Sequence, residues 1–286
     1  MTKKILRQVE YDKAAYNLAI EYLLSFESVG ISRNLLSEYL EPMVDDLRPN
    51  SLPEVYFRLL GTAQNRSMGP SVIGKSIGGI EKLTRVLYDF DSKKVNGEFG
   101  DDWAKVLDEI EFQLQPSGKI RRTPRSLWPL FCRSITSSAR FLCQFHDSSE
   151  FLNWVDVFDS DIKSRLALPL LLSAEIEGIG FPLACDFLKG MGYFNFGKPD
   201  VHIKTIFSGL DLVLQQVDDY SVFKAISRVA ESNSVTVYNV DKLFWLIGSG
   251  NFHENPELGS DGRIQTNRDE FIQKASSELS IKFGAA

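Results

Sequence analysis

Near the N-terminus the stretch DKAAYNLAIEYLLSF sets Tyr16, Ile20, Leu23 and Leu24 on one stripe, three or four residues apart. That spacing describes an amphipathic α-helix, not the strict alternation of a half-buried strand. The pattern returns in SRNLLSEYLEPMVDDL, ended or kinked near Pro42, and in PEVYFRLLGTAQ, where Pro53 and Glu54 suit a first helical turn. It continues through IEKLTRVLYDF, DDWAKVLDEIEFQL, TPRSLWPLFCRSITSSARFLCQF, SEFLNWVDVFD and SDIKSRLALPLLLSAEI, then VHIKTIFSGL, SVFKAISRVAES, VYNVDKLFWLIGSG and NRDEFIQKASSEL. Gly209 and Gly250 fall where helix C-termini would place a left-handed residue. Strand alternation is scarce, and no repeat, low-complexity tract or linker stands out. The expectation is an all-α protein whose lobes are closely joined.

With 43% hydrophobic and 24% charged residues in 286, the chain has an ordinary soluble composition, enough for one large domain or two lobes. The opening MTKKILRQVEYDK has no apolar stretch behind its basic residues, and no run approaches the roughly 18 apolar residues of a membrane span. A cytoplasmic protein with no membrane partner is expected. Cys132, Cys143 and Cys185 are odd in number, widely spaced and set among apolar residues, which suits buried reduced thiols. No close Cys or His cluster offers a metal or iron–sulfur site. A formal charge of −6 means that a nucleic-acid partner would have to be held by local basic patches.

The stretch IEGIGFPLACDFLKGMGYFNFGKPDVHIKTIF, Ile176 to Phe207, is the most informative. Gly178 and Gly180 permit a sharp reversal between two helices, and the second helix would present unpaired amides with its dipole behind them. Such amides make a compact site for one backbone phosphate. A plain αα-hairpin with a glycine turn reads the same way. A single carboxylate, Asp200, follows at a helix mouth 200 − 178 = 22 residues later.

Ile176, Glu177, Gly178, Ile179, Gly180, Phe181, Pro182, Leu183 and Ala184 resemble the hairpin of the helix–hairpin–helix DNA glycosylase superfamily, with Glu177 where that family usually has proline. The family's catalytic aspartate lies about 18 residues beyond the position that carries lysine in its bifunctional members; here those positions are Pro182 and Asp200, and 200 − 182 = 18. Upstream, LLGTAQNRSM is similar to the family helix that ends in Ala-Gln, here Ala63 and Gln64, and carries a residue inserted into the duplex. The matches span roughly Leu59 to Phe207.

The resemblance implies two lobes with a DNA cleft between them: a central lobe, 53–190, with wedge and hairpin, and a second, 1–52 plus 191–286, carrying Asp200. It implies a monomeric, monofunctional glycosylase that hydrolyses the N-glycosidic bond of a modified or damaged base in double-stranded DNA, with no or weak strand cleavage. It implies no cofactor, apart from a possible monovalent cation at the hairpin. Base flipping leaves a hole to be filled, by Gln64 with Asn65 or Arg66 beside it, unless these are a polar helix end facing water. Asp200 would stabilise the oxocarbenium character of the sugar and orient water; it also suits a plain N-cap of VHIKTIF. Gly178, Ile179 and Gly180 would approach a phosphate, and Arg121, Arg122 and Arg125 form a basic loop suited to the same task. Tyr193, Phe194 and Phe196 are the aromatics on which a flipped base could stack, or core residues, and His202 could touch DNA. His146 and His253 have no evident partners. Two alternatives remain at this level: a phage-defence glycosylase excising a hypermodified cytosine, such as a glucosylated hydroxymethylcytosine, and a non-catalytic hairpin module that binds DNA.

Overall fold

The computed structural model of the chain describes residues 3–42, 47–66, 72–213, 216–252, 255, 258 and 262–284. Fifteen α-helices and three short 3-10 turns lie among them, with no strand; a single antiparallel bridge joins Asn251 to Arg263. The chain divides into two compact units, 46–193 and the combination of 1–45 with 194–286, against expected bounds of 53–190 and the remainder. No helix of the described residues is long and apolar enough to cross a membrane.

The first unit starts with α1 (Lys3–Leu24) and α2 (Arg33–Leu40). Ser32 caps α2 by accepting from Leu35 N–H, and the helix stops at Leu40, two residues before Pro42. On α1 the buried stripe centres on Ala15, Ala19 and Leu23, with Tyr16, Ile20 and Leu24 at its margins, because small residues let neighbouring helices approach. Asp12 is fully buried on that stripe and fully satisfied. It accepts from Arg228 Nε (2.8 Å) and Nη2 (3.1 Å), Ser232 Oγ (3.1 Å) and Gln8 Nε2 (3.0 Å).

The second unit contains α3 (Leu52–Ala63), α4 (Val72–Ile77), α5 (Ser92–Phe99), α6 (Trp103–Leu114), α7 (Leu127–Leu142), α8 (Ser148–Ser160), α9 (Ile162–Arg165), α10 (Leu168–Glu175) and α11 (Phe181–Gly190). Helix α7 is its axis, buried from Ser134 to Ala139 and packed against α3, α5 and α6. IEKLTRVLYDF does not form the expected helix. It is two 3-10 turns, Ile80–Arg85 and Tyr88–Phe90, with positive φ at Tyr88, Asp89 and Phe90. The three cysteines are free thiols; Cys132 and Cys185 are buried, and burial raises the Cys132 pKa.

The chain returns to the first unit with α12 (Val201–Gly209), α13 (Asp219–Asn233), α14 (Val237–Ser249) and α15 (Arg268–Phe283). Ile203, Phe207, Phe244 and Phe271 build the core among them, and α1 closes it against α13, α14 and α15. Gly250 takes the expected left-handed conformation at the end of α14 (φ +63°). Gly209 does not: it stays helical, and a Cβ there would press into Ile272, so it is a close-approach glycine.

Candidate functional site

Asp200 opens α12 after a tight turn at Pro199, its N–H donating to Lys198 O (2.8 Å). Asp200 Oδ1 accepts from His202 N–H (2.9 Å) and Ile203 N–H (3.0 Å), so it is the N-cap that its sequence position suggests. Burial raises its pKa, and the nearby Asp241 carboxylate raises it further; the amide of Ile203, His202 and Lys198 oppose this. Asp241 escaped the sequence reading. It is buried on α14 and its Oδ2 accepts from Lys198 N–H (3.1 Å). The available signal was a carboxylate flanked by Val237 and Phe244 on an apolar helix face. His202 is half-buried, its Nδ1 without a hydrogen-bond partner among the described residues, and it packs over Gly248, where a Cβ would collide with the His202 side chain. Asp200, Asp241 and His202 form a cluster within the first unit. His253 lies outside the described residues.

In the second unit, α10 ends at Glu175, Gly178 turns at φ +88° and Gly180 is the N-cap of α11 with no side-chain cap. Two serines of α7 clamp the turn: Ser134 Oγ donates to Glu177 O (2.7 Å) and Glu177 N–H donates to Ser137 Oγ (3.0 Å). A Cβ on Gly178 would collide with Ser134 Oγ, whereas Gly180 has open space with only Pro182 Cδ at 3.9 Å. Ile179 is buried and anchors the turn from inside, so of the three expected contact residues only the glycines can bring backbone to a ligand. The carbonyls of Ile176, Glu177 and Gly180 each accept a hydrogen bond, and a Cβ at Gly178 would be 3.3 Å from Arg66 Nη1.

The expected wedge needs correction. Gln64 is buried, and its Oε1 accepts from Gly74 N–H (3.1 Å), tying the end of α3 to α4. An inward-facing, hydrogen-bonded amide does not enter a duplex; the half-buried Asn65 and Arg66 follow it. The aromatic base pocket is corrected as well. Tyr193 is buried in the second unit, its hydroxyl accepting from Arg48 Nη1 (2.6 Å) and donating to Leu152 O (3.1 Å), with the guanidinium 4.1 Å over the ring. Phe196 is buried in the first unit against Phe223. Phe194 is half-buried there, edge-on to Tyr238. Tyr193 and Phe196 are therefore core residues.

The basic loop divides. Arg122 ion-pairs with Asp108 (2.7 Å) and Glu111 of α6, which removes it from the expected phosphate contacts. Arg121 and Arg125, with Lys119 and Arg66, instead line a cleft of about 830 Å³ in the second unit. Comparison of the chain with family models, curated proteins and solved structures gives no match.

Proposed function

We propose that the chain is a monofunctional DNA glycosylase, hydrolysing the N-glycosidic bond of an extruded modified base in double-stranded DNA and leaving an abasic strand. The observation that carries the reading is Asp200: a carboxylate oriented by two backbone amides, with burial and Asp241 both disfavouring its charge. A cation developing beside such a group relieves that cost as it forms, so stabilisation grows from ground state to transition state. The second Asp200 oxygen has no part in the cap, which leaves it for the sugar or for a water attacking it.

The hydrolytic outcome follows from Pro182. It occupies the first turn of α11, where bifunctional members of the resembled family carry lysine, and offers no nucleophile. Lys189 lies seven residues on, about 10 Å along the helix axis, 3.8 Å from Asp186. The uncapped start of α11 and the glycine turn, held on Ser134 and Ser137, support binding of a backbone phosphate.

The test incubates purified protein with alkylated DNA, oxidised DNA and phage genomic DNA with and without glucosylated cytosines, measuring free base, strand nicks and borohydride-trapped complex. Free base without nicks or trapping, lost in Asp200→Asn, is expected. Base release undiminished in Asp200→Asn removes Asp200 from the mechanism, trapping of wild type overturns monofunctionality, and no release from any substrate leaves a non-catalytic DNA binder.

A further inference from the structure

The cleft of the second unit has features that one phosphate-contacting loop does not require. Four cations line it, Arg66, Lys119, Arg121 and Arg125, and no carboxylate does. None of the four is ion-paired among the described residues, although Arg122, beside Arg121 in sequence, takes two carboxylates of α6. In a chain of net charge −6, four unneutralised cations around one cleft mark the place of an anionic ligand. The rest of the lining is largely apolar, with Val72, Ile73, Leu127, Trp128, Leu130 and Phe131 forming an apolar wall. A volume of about 830 Å³ falls within the range of small-molecule sites. The ligand is thus anionic and carries a flat or apolar group.

Two residues of the cleft also touch or approach the hairpin. Ser134 lines the cleft and donates to Glu177 O in the turn. Arg66 lines it too, its Nη1 at 3.3 Å from where a Gly178 Cβ would be. A phosphate on the turn and a nucleotide in the cleft would therefore share Ser134 and Arg66 as neighbours.

We propose that this cleft seats one unpaired nucleotide of a DNA strand, base on the apolar wall and flanking phosphates on Arg66, Lys119, Arg121 and Arg125. A paired base exposes only its edges, whereas an unpaired one offers a face to an apolar wall. The proposal rests on the DNA-binding half of the reading above and not on hydrolysis at Asp200.

The test measures binding of the full chain to a labelled oligothymidine, to a strand of the same length made of abasic deoxyribose phosphates, and to free thymidine monophosphate as competitor. Arg121→Gln/Arg125→Gln changes two exposed loop residues and should remain folded by circular dichroism; Lys163→Gln/Lys274→Gln is the charge-matched control. The cleft variant is expected to bind oligothymidine at least tenfold more weakly, with its salt slope lower by about 1.4, the loss of two phosphate contacts at roughly 0.7 each. The control should match wild type, and the abasic strand should bind about tenfold more weakly than oligothymidine. Equal losses in cleft variant and control, or none in the cleft variant, overturn the site. Equal binding of the two strands overturns the base seat, and competition by the monophosphate at the strand's own concentration replaces the strand with a free nucleotide. Asp200→Asn should keep strand affinity, so failure here is distinct from failure of base release.

Discussion

Asp241 on α14 accepts a hydrogen bond from Lys198 N–H at 3.1 Å and, from 43 residues away in sequence, holds the turn before Asp200 and sets part of the electrostatic surroundings of Asp200. If ionised Asp200 supports catalysis, base release falls as pH drops through its raised pKa. Asp241→Asn keeps an oxygen for Lys198 N–H but removes the like charge. The acid limb of the kcat/KM profile should then move to lower pH, read from base-release rates across the acidic range; an unmoved limb dissociates Asp241 from Asp200.

The same raised pKa has a consequence for stability. A carboxyl whose folded pKa lies above its unfolded value contributes stability that is full below the unfolded pKa, about 3.9 for aspartate, and lost as pH rises through the folded pKa. Asn is an equivalent N-cap without that charge. Asp200→Asn should therefore unfold at equal or higher denaturant than wild type at pH 7, with its advantage shrinking toward pH 4 while base release is lost. A variant less stable than wild type at pH 7 contradicts this account.

The hairpin glycines should separate folding from binding. Gly178 combines φ +88° with Ser134 Oγ in the space a Cβ needs, so Gly178→Ala should cost about 1–3 kcal/mol in chemical denaturation. Gly180 has φ −83° and open space, so Gly180→Ala should stay within about 0.5 kcal/mol of wild type. Its added methyl stands where backbone would approach phosphate, and DNA affinity should fall several-fold. Wild-type affinity in folded Gly180→Ala removes the turn from the DNA contact.

In the first unit Asp12 is buried completely and bonded on both oxygens. Asp12→Ala leaves Arg228, Ser232 and Gln8 without their shared acceptor. The Arg228 side chain retains 28% exposure and can recover some hydration, which places the cost at about 3 kcal/mol, the lower end for breaking a buried pair. Asp12→Asn should recover part of it. Equilibrium unfolding of the three proteins checks the order.

Local chemistry was legible in the sequence because it acts over a few residues. Asp200 caps α12, Gly250 ends α14 left-handed, and Gly178 turns at positive φ. Each depends on a side chain or backbone preference expressed within one turn. Helical periodicity likewise foretold an all-helical chain, except at Ile80–Phe90, where positive φ at three successive residues replaces the helix the apolar spacing suggested. Partners distant in sequence were decided by the tertiary structure alone. Gln64 and Asn65 are adjacent polar residues at a helix end, yet only packing against Gly74 turned Gln64 inward. Arg121 and Arg122 are chemically identical neighbours; the acids of α6 claimed one and left the other to the cleft. Tyr193 and Phe196 went to cores because burying an aromatic ring outweighs leaving it exposed for a ligand, and Asp241 reached Asp200 only when α14 packed on α12. A residue's type sets what it can bond to, but which bond it makes depends on what the folded chain brings within about 3 Å.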